Sequence, residues 1–197
     1  MNAFELGLLE RLNLVVGNRV FDAIMPVITA LANNGYIWIV IAVALLLFAR
    51  YRKAGVTLAV ALLTEWGLVN GLLKPLVGRI RPFALDPSFP LIATPPHDAS
   101  FPSGHAAVSF AAAYVIYHFN KRAGIAAYVL AALIAFSRLY LFFHFPTDVL
   151  AGTIIGIAVG AFAVWLVTWA DKKWMGGKLG AAGDVEVEQV EAVEDVL

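Results

Sequence analysis

The chain has no cysteine, which removes disulfides and thiolate-held metals from consideration. Charge is sparse: Asp, Glu, Lys and Arg make up 14% of residues, and 14 basic side chains balance 14 acidic ones. A balanced chain offers no general field for nucleic acid. The four histidines and the carboxylates show no metal-ligand spacing, so neither a metal nor a cofactor is expected. The first 20 residues scatter Glu5, Glu10, Arg11 and Arg19 among short apolar pieces. That is not the basic-then-apolar order of a cleaved leader, and the first hydrophobic helix is expected to insert uncleaved. There is no obvious internal repeat.

Apolar residues are abundant instead: 61% of the chain is hydrophobic and the mean hydropathy is +0.80. A soluble domain of 197 residues cannot hide that much apolar surface, because exposed area falls too slowly with size. The pattern predicts an all-α fold, one polytopic membrane helical bundle over residues 1–175. Six spans are expected, at residues 21–32, 36–49, 54–73, 103–119, 124–143 and 145–170. Several approach the roughly 20 apolar residues that cross a bilayer; the first two are short. Between the third and fourth lies a loop, residues 74–102, carrying Pro82, Pro87, Pro90, Pro95 and Pro96. Proline lacks an amide donor and restricts its predecessor, so this stretch does not span. Gly152, Gly156 and Gly160, four apart in the sixth span, indicate close helix packing rather than chemistry. Residues 176–197 turn acidic, with Asp184, Glu186, Glu188, Glu191, Glu194 and Asp195, and read as a solvated, largely disordered cytoplasmic tail.

Alternating six spans put the N-terminus, Arg50, Arg52, Lys53, Lys121, Arg122, Lys172, Lys173 and Lys178 on one side, with ten of the fourteen Lys and Arg. The positive-inside rule makes that side cytoplasmic, with both termini on it, in a plasma membrane. The other four are Lys74, Arg79, Arg81 and Arg138, all near the outer face. A cationic cluster on the wrong side calls for an anionic ligand.

Three segments converge there. They are Lys74-Pro-Leu-Val-Gly-Arg-Ile-Arg81-Pro82, then Pro102-Ser103-Gly104-His105, then Ser137-Arg138 followed after five residues by His144 and after three more by Asp148. A phosphoryl group in transfer spreads negative charge over its oxygens, so its catalysis is mostly positioning and neutralisation. Lys74, Arg81 and Arg138 offer three cations, and the planar arginine fork matches phosphate oxygens. Ser103 and Gly104 open a helix whose free amides suit an anion, and Gly104 allows close backbone approach. Asp148, one turn after His144, can accept a hydrogen bond from its ring. That would fix the tautomer and leave the other nitrogen free to attack phosphorus.

In this order and at these spacings the segments resemble the type 2 phosphatidic acid phosphatase superfamily, over roughly residues 20–170. The resemblance implies a membrane phosphatase acting on lipid phosphates or diphosphates at the outer face. It implies that His144 is the nucleophile and forms a phosphohistidine. His105 then protonates the leaving oxygen and later activates water. Lys74, Arg81, Ser103, Gly104 and Arg138 bind phosphate, and Asp148 supports His144. Small bacterial members point to undecaprenyl diphosphate as substrate, with phosphatidylglycerophosphate and phosphatidic acid as competitors. A haloperoxidase shares the phosphate pocket, but known members are soluble and much longer. A lipid transporter or membrane scaffold would suit the glycine stripe and Glu65, yet leaves the hydrolase spacing unexplained.

The remaining polar residues read more plainly. His118 is a boundary residue and His97 a loop residue without a catalytic role. Arg79 is either a charge at the substrate mouth or a headgroup contact. Glu65 and Asn70 lie inside the third span, where an ionisable group is costly. Glu65, about 13 Å inward of Lys74 along a helix, is expected to make a buried polar contact between helices.

Overall fold

The structure, a computed structural model, describes residues 2–179. Almost all of the acidic tail lies outside those residues. Alanine and small polar residues dominate residues 104–119, and that composition puts this helix in the middle. In α7 (Gly104–Phe119), Ala106, Ala107, Ala111, Ala112 and Ala113 are all fully buried. Around it pack α4 (Arg52–Trp66), α8 (Lys121–Tyr140) and α9 (Pro146–Trp174), with α3 (Tyr36–Leu47) lying against α4. Trp38 Nε1 donates to Ser109 Oγ at 3.0 Å and ties α3 to the centre. Asn120 both ends α7 and caps α8, its side chain accepting from the Ala123 amide at 3.0 Å. The outward surface stays apolar: Leu63, Trp66, Val129, Ile154 and Trp165 are all more than half exposed. Water does not tolerate such a belt, and a bilayer does.

The glycine stripe of α9 is a packing seam. A Cβ on Gly152 or Gly156 would collide with the carbonyl oxygens of Ser103 or Ala107, and one on Gly160 would sit 2.8 Å from that of Ala111. Overpacking so tight a contact costs about 1–3 kcal/mol. Gly156→Val is expected to lower the melting temperature of the detergent-solubilised protein measurably. Gly7→Ala, where no atom lies within 4 Å of the new methyl, is expected to leave it unchanged.

Two features of the structure bear on the expected topology. The first is the number of candidate spans, three to four against the six expected. Among the described residues three runs are long and apolar enough to cross a membrane: Ala49–Leu85, Lys121–Tyr140 and Pro146–Trp174. A bent pair brings the number to four if it counts as one span. That pair is α2 (Arg19–Leu31) with α3, joined at Asn33-Asn34-Gly35 and bent by 46°. The expected hairpin at this turn is therefore one kinked run. Asn34 (φ 50°) and Gly35 (φ 72°) interrupt the helix without reversing it. The sixteen-residue α7 is shorter than the roughly 20 residues that cross a bilayer, and its neighbours bury much of it.

The second is the placement of α1 relative to the end of α9. In α1 (Asn2–Val16), Glu5 accepts from the Thr147 amide at 3.0 Å, at the start of α9. Near the other end of α9, Lys53 pairs with the buried Asp171 at 2.8 Å. The N-terminal helix thus lies at one end of the bundle and the last residues of α9 at the other. The expected common side for both termini is not matched by α1 and the end of α9, because α1 packs at the end where α8 finishes and α9 begins.

Candidate active site

The segments singled out above meet at the end of the bundle where α1 lies, around a cavity of about 920 Å³. Lys74 reaches it from a wide-turn stretch, Gly67–Leu73, in which the Lys74 amide bonds the Val69 carbonyl five residues back. Such π-turns rotate the following residues off the α-helical register and recur at functional sites. Lys74, Arg81, Arg138, Gly104, His105 and His144 all line this cavity. Lys74, Arg81 and Arg138 are each under 9% exposed, so the charge they present is scarcely screened by water.

His144 sits on the turn between α8 and α9, fully enclosed among Phe142, Phe143 and Phe145. Its amide bonds the Arg138 carbonyl at 3.2 Å, which links the nucleophile candidate to an arginine six residues earlier. Its Nε2 lies 3.1 Å from Arg81 Nη1. A guanidinium can only donate, so Nε2 is the acceptor and Nδ1 carries the proton. Nδ1 points at Asp148 Oδ2 from 3.6 Å, too long for a hydrogen bond. The expected His144–Asp148 hydrogen bond is therefore not formed in this state. The carboxylate is held by other donors: Arg79 Nη1 at 2.5 Å, Ser100 Oγ at 2.5 Å and the Phe145 amide at 2.9 Å. The tautomer is nonetheless the expected one, since the anion faces the protonated nitrogen. Burial, then the charges of Arg81, Arg138 and Lys74, holds the His144 pKa well below its usual range, so the ring stays neutral.

Arg79 is neither of the things expected of it. Its Nη2 pairs with Glu5 at 2.6 Å, its Nη1 with Asp148 and with Thr147 Oγ1 at 2.7 Å, and its guanidinium lies 4.1 Å over the Phe145 ring. It clasps α1, the start of α9 and the loop before α6 (Pro82–Leu85) into one unit. Glu5 completes this clasp through Thr147 and was not legible as a site residue, being 142 positions away.

Ser103 also differs from expectation. Its Oγ accepts from the Ala106 amide at 3.4 Å and its own amide bonds the Asp148 carbonyl at 3.0 Å. It is fully buried and caps α7 rather than lining the cavity. A Cβ on Gly104 would meet Lys74 Nζ at 3.6 Å, an ordinary contact, so packing against Lys74 does not require a glycine there. Glu65 lines the same cavity, and its buried Oε1 has no hydrogen-bond partner among the described residues. The expected helix-to-helix contact is absent for that atom.

Two residues join the site unannounced by any motif. Asn33 Oδ1 lies 3.0 Å from His105 Nε2, at the kink between α2 and α3. Asp98, in the loop before α7, pairs with both Lys74 and Arg81. Burial pushes its carboxyl up, but the hydrogen bonds and charges of Lys74 and Arg81 more than offset this and hold its pKa at about 2. An acid set among cations in an outer loop was the available signal.

Residues 50–172 match the PAP2 superfamily. The undecaprenyl-diphosphatase of Sulfolobus acidocaldarius is 35% identical over 131 residues, covering 66% of this chain and 63% of that protein. The undecaprenyl-diphosphatase BcrC of Bacillus subtilis is 32% identical over 149 residues, covering 73% of each. Among solved structures, Aquifex aeolicus LpxE superposes with a TM-score of 0.70 at 31% identity, covering 80% of this chain and 94% of that one.

Proposed function

The chain belongs to the PAP2 superfamily, and from that premise we propose that it hydrolyses undecaprenyl diphosphate to undecaprenyl phosphate and inorganic phosphate. The observation that carries this reading is that His144 lines the same cavity as Lys74, Arg81 and Arg138, its Nε2 unprotonated and accepting from Arg81, which has to release that lone pair before it can attack phosphorus. The names of the two relatives support the diphosphate. So does the far wall of the cavity, where Ile39, Val43, Leu46, Leu62, Leu63 and Trp66 offer an apolar surface to a lipid chain.

The chemistry then runs in two steps. Nε2 of His144 forms a bond to the terminal phosphorus while the bridging P–O bond breaks. The departing oxygen takes a proton from His105, and the three cations take the charge that builds on the equatorial oxygens. The anionic substrate favours that proton on His105 beforehand. In the second step His105 accepts a proton from water, the oxygen attacks phosphorus, and the P–N bond breaks to free His144 and phosphate. Throughout, Nδ1 keeps its proton and Asp148 offsets the positive charge on the ring.

The site belongs on the extracytoplasmic side of the cell membrane in this reading. The opposite end carries Arg50, Arg52, Lys53, Lys121, Arg122, Lys172, Lys173 and Lys178, a basic bias that favours the cytoplasm. The test is phosphate release by the detergent-purified protein, with EDTA and without added metal. The panel holds undecaprenyl diphosphate, phosphatidylglycerophosphate and phosphatidic acid. Release from undecaprenyl diphosphate above the others is expected. Preference for either monophosphate would reassign the substrate, and no release from folded protein would leave a lipid-binding or transport protein.

Asn33 orients the acid in this scheme, because its carbonyl oxygen accepts from the protonated Nε2 of His105. Asn33→Ala is expected to lower kcat about tenfold, a loss of one hydrogen bond to a charged group at about 1.5 kcal/mol, with KM little changed. Steady-state kinetics on the same lipid checks it.

A further inference from the structure

The cationic pocket already contains an anion of the chain's own. Asp98 Oδ1 accepts from Arg81 Nη2 at 2.6 Å, and Oδ2 takes the ammonium of Lys74. The backbone reinforces the placement: Arg81 Nε donates to the Asp98 carbonyl at 2.7 Å and Nη2 to that of Ala99 at 3.1 Å. The Asp98 side chain is still 48% exposed, so it sits at the cavity mouth with a path out to water. Its two oxygens satisfy two of the three cations. Arg138 is left out: its Nη1 donates to Thr29 Oγ1 at 2.6 Å, and its buried Nε has no hydrogen-bond partner among the described residues.

We infer that Asp98 is a tethered competitor for the phosphate site, which a phosphoryl group must displace from Lys74 and Arg81 and which returns to help expel inorganic phosphate after turnover. A carboxylate and a phosphate present the same acceptor chemistry to these donors. They differ in reach. The carboxylate has two oxygens on a short stem, whereas a phosphoryl group offers at least three and can engage Arg138 together with Lys74 and Arg81. Substrate therefore wins by the third cation, and by whatever its lipid chain adds. Free phosphate, lacking the chain, wins by less. The device weakens product retention without weakening the cations, and makes Asp98 a residue that sets selectivity for chain-bearing phosphates over inorganic phosphate. When a pocket is open only a tenth of the time, the apparent dissociation constant rises about tenfold.

This inference takes its biological sense from the phosphatase reading, but its test reads binding alone. The full chain in detergent micelles is titrated calorimetrically with inorganic phosphate, as native protein, Asp98→Asn and Asp98→Glu. The Asn variant is expected to bind phosphate about tenfold or more tightly than the native protein. The Glu variant, which keeps the charge, is expected to stay within about threefold of it. Should Asp98→Asn fail to fold, Asp98→Ser takes its place with the same expectation. Weaker or equal binding by the neutral variant would overturn the inference, since Asp98 would then be propping Lys74 and Arg81 in position. No binding by any form would overturn it too, because there would be no phosphate site to contest. Lipid hydrolysis is measured in parallel on the same preparations. Tighter phosphate binding without hydrolysis would keep the competitor and sink the proposed function. Hydrolysis with no gain in phosphate binding would do the reverse.

Discussion

His144→Ala is expected to lower phosphate release by a factor on the order of 10⁴–10⁶, the scale on which removing a covalent nucleophile acts. Binding of inorganic phosphate should survive, because Lys74, Arg81 and Arg138 remain. The native enzyme, quenched with acid-free denaturant during turnover, should carry an acid-labile, base-stable phosphoryl group that the variant lacks. The pH profile is part of the same expectation. Burial and three neighbouring cations push the His144 pKa below its ordinary value, and a lowered pKa means the ring protonates later as pH falls. In its proposed role as nucleophile His144 thus stays competent across pH 6.5, and no loss of kcat/KM near that value should trace to it. The same sign governs stability: the unfolded histidine takes its proton first, so this residue weakens the fold as pH drops below about 6.5. A His144→Ala protein retaining more than a hundredth of native turnover would remove the covalent route and leave direct attack by water.

The chemistry was more legible than the architecture. Lys74, Arg81, Gly104, His105, Arg138 and His144 converge on one cavity because each sits at a helix end or in a turn whose position the apolar runs already marked. The starts of α8 and α9 follow from Asn120, which caps the first, and Pro146, which opens the second, each ahead of a long hydrophobic stretch. What stayed hidden were relations between distant positions. Glu5 has no periodic or motif signal toward Thr147, and its partnership exists only once α1 folds back on the start of α9. Asp98 belongs to no motif in its proline-rich loop, although it pairs with both Lys74 and Arg81. The kink at Asn33 reads as a reversal because Asn-Asn-Gly is turn chemistry. The backbone uses it for a 46° bend instead, which brings Asn33 to His105. Asp148 shows how spacing and geometry part company. One helical turn from His144 is within reach, yet Arg79, Ser100 and the Phe145 amide take up its oxygens.

Arg81→Lys should be nearly as damaging as losing a histidine, despite keeping the charge. The guanidinium holds five relationships at once: Asp98 through backbone and side chain, the Ala99 and Phe143 carbonyls, and the His144 ring. Nη1 alone reaches both the Phe143 carbonyl at 2.8 Å and His144 Nε2 at 3.1 Å, so it fixes the peptide before the nucleophile and the nucleophile's own lone pair. An ammonium is a point charge on a flexible stem and cannot span that fork. The bond to Nε2 gives way when that lone pair attacks, so what the lysine loses in the transition state is the Phe143 carbonyl bond and one arm of the fork on the phosphoryl oxygens; at about 1.5–3 kcal/mol each these imply a loss of roughly 10²–10⁴ in kcat/KM. Because charge is kept and shape is lost, the loss should fall mainly on kcat, with KM rising only a few-fold. Phosphoenzyme accumulation should slow in step with kcat, since His144 would no longer be aimed. Arg81→Ala gives the comparison: it removes charge as well, and is expected to lose phosphate binding along with turnover. A lysine variant within threefold of native kcat would mean that Arg81 contributes charge alone, and that the turn from Phe142 to Phe145 positions His144 unaided.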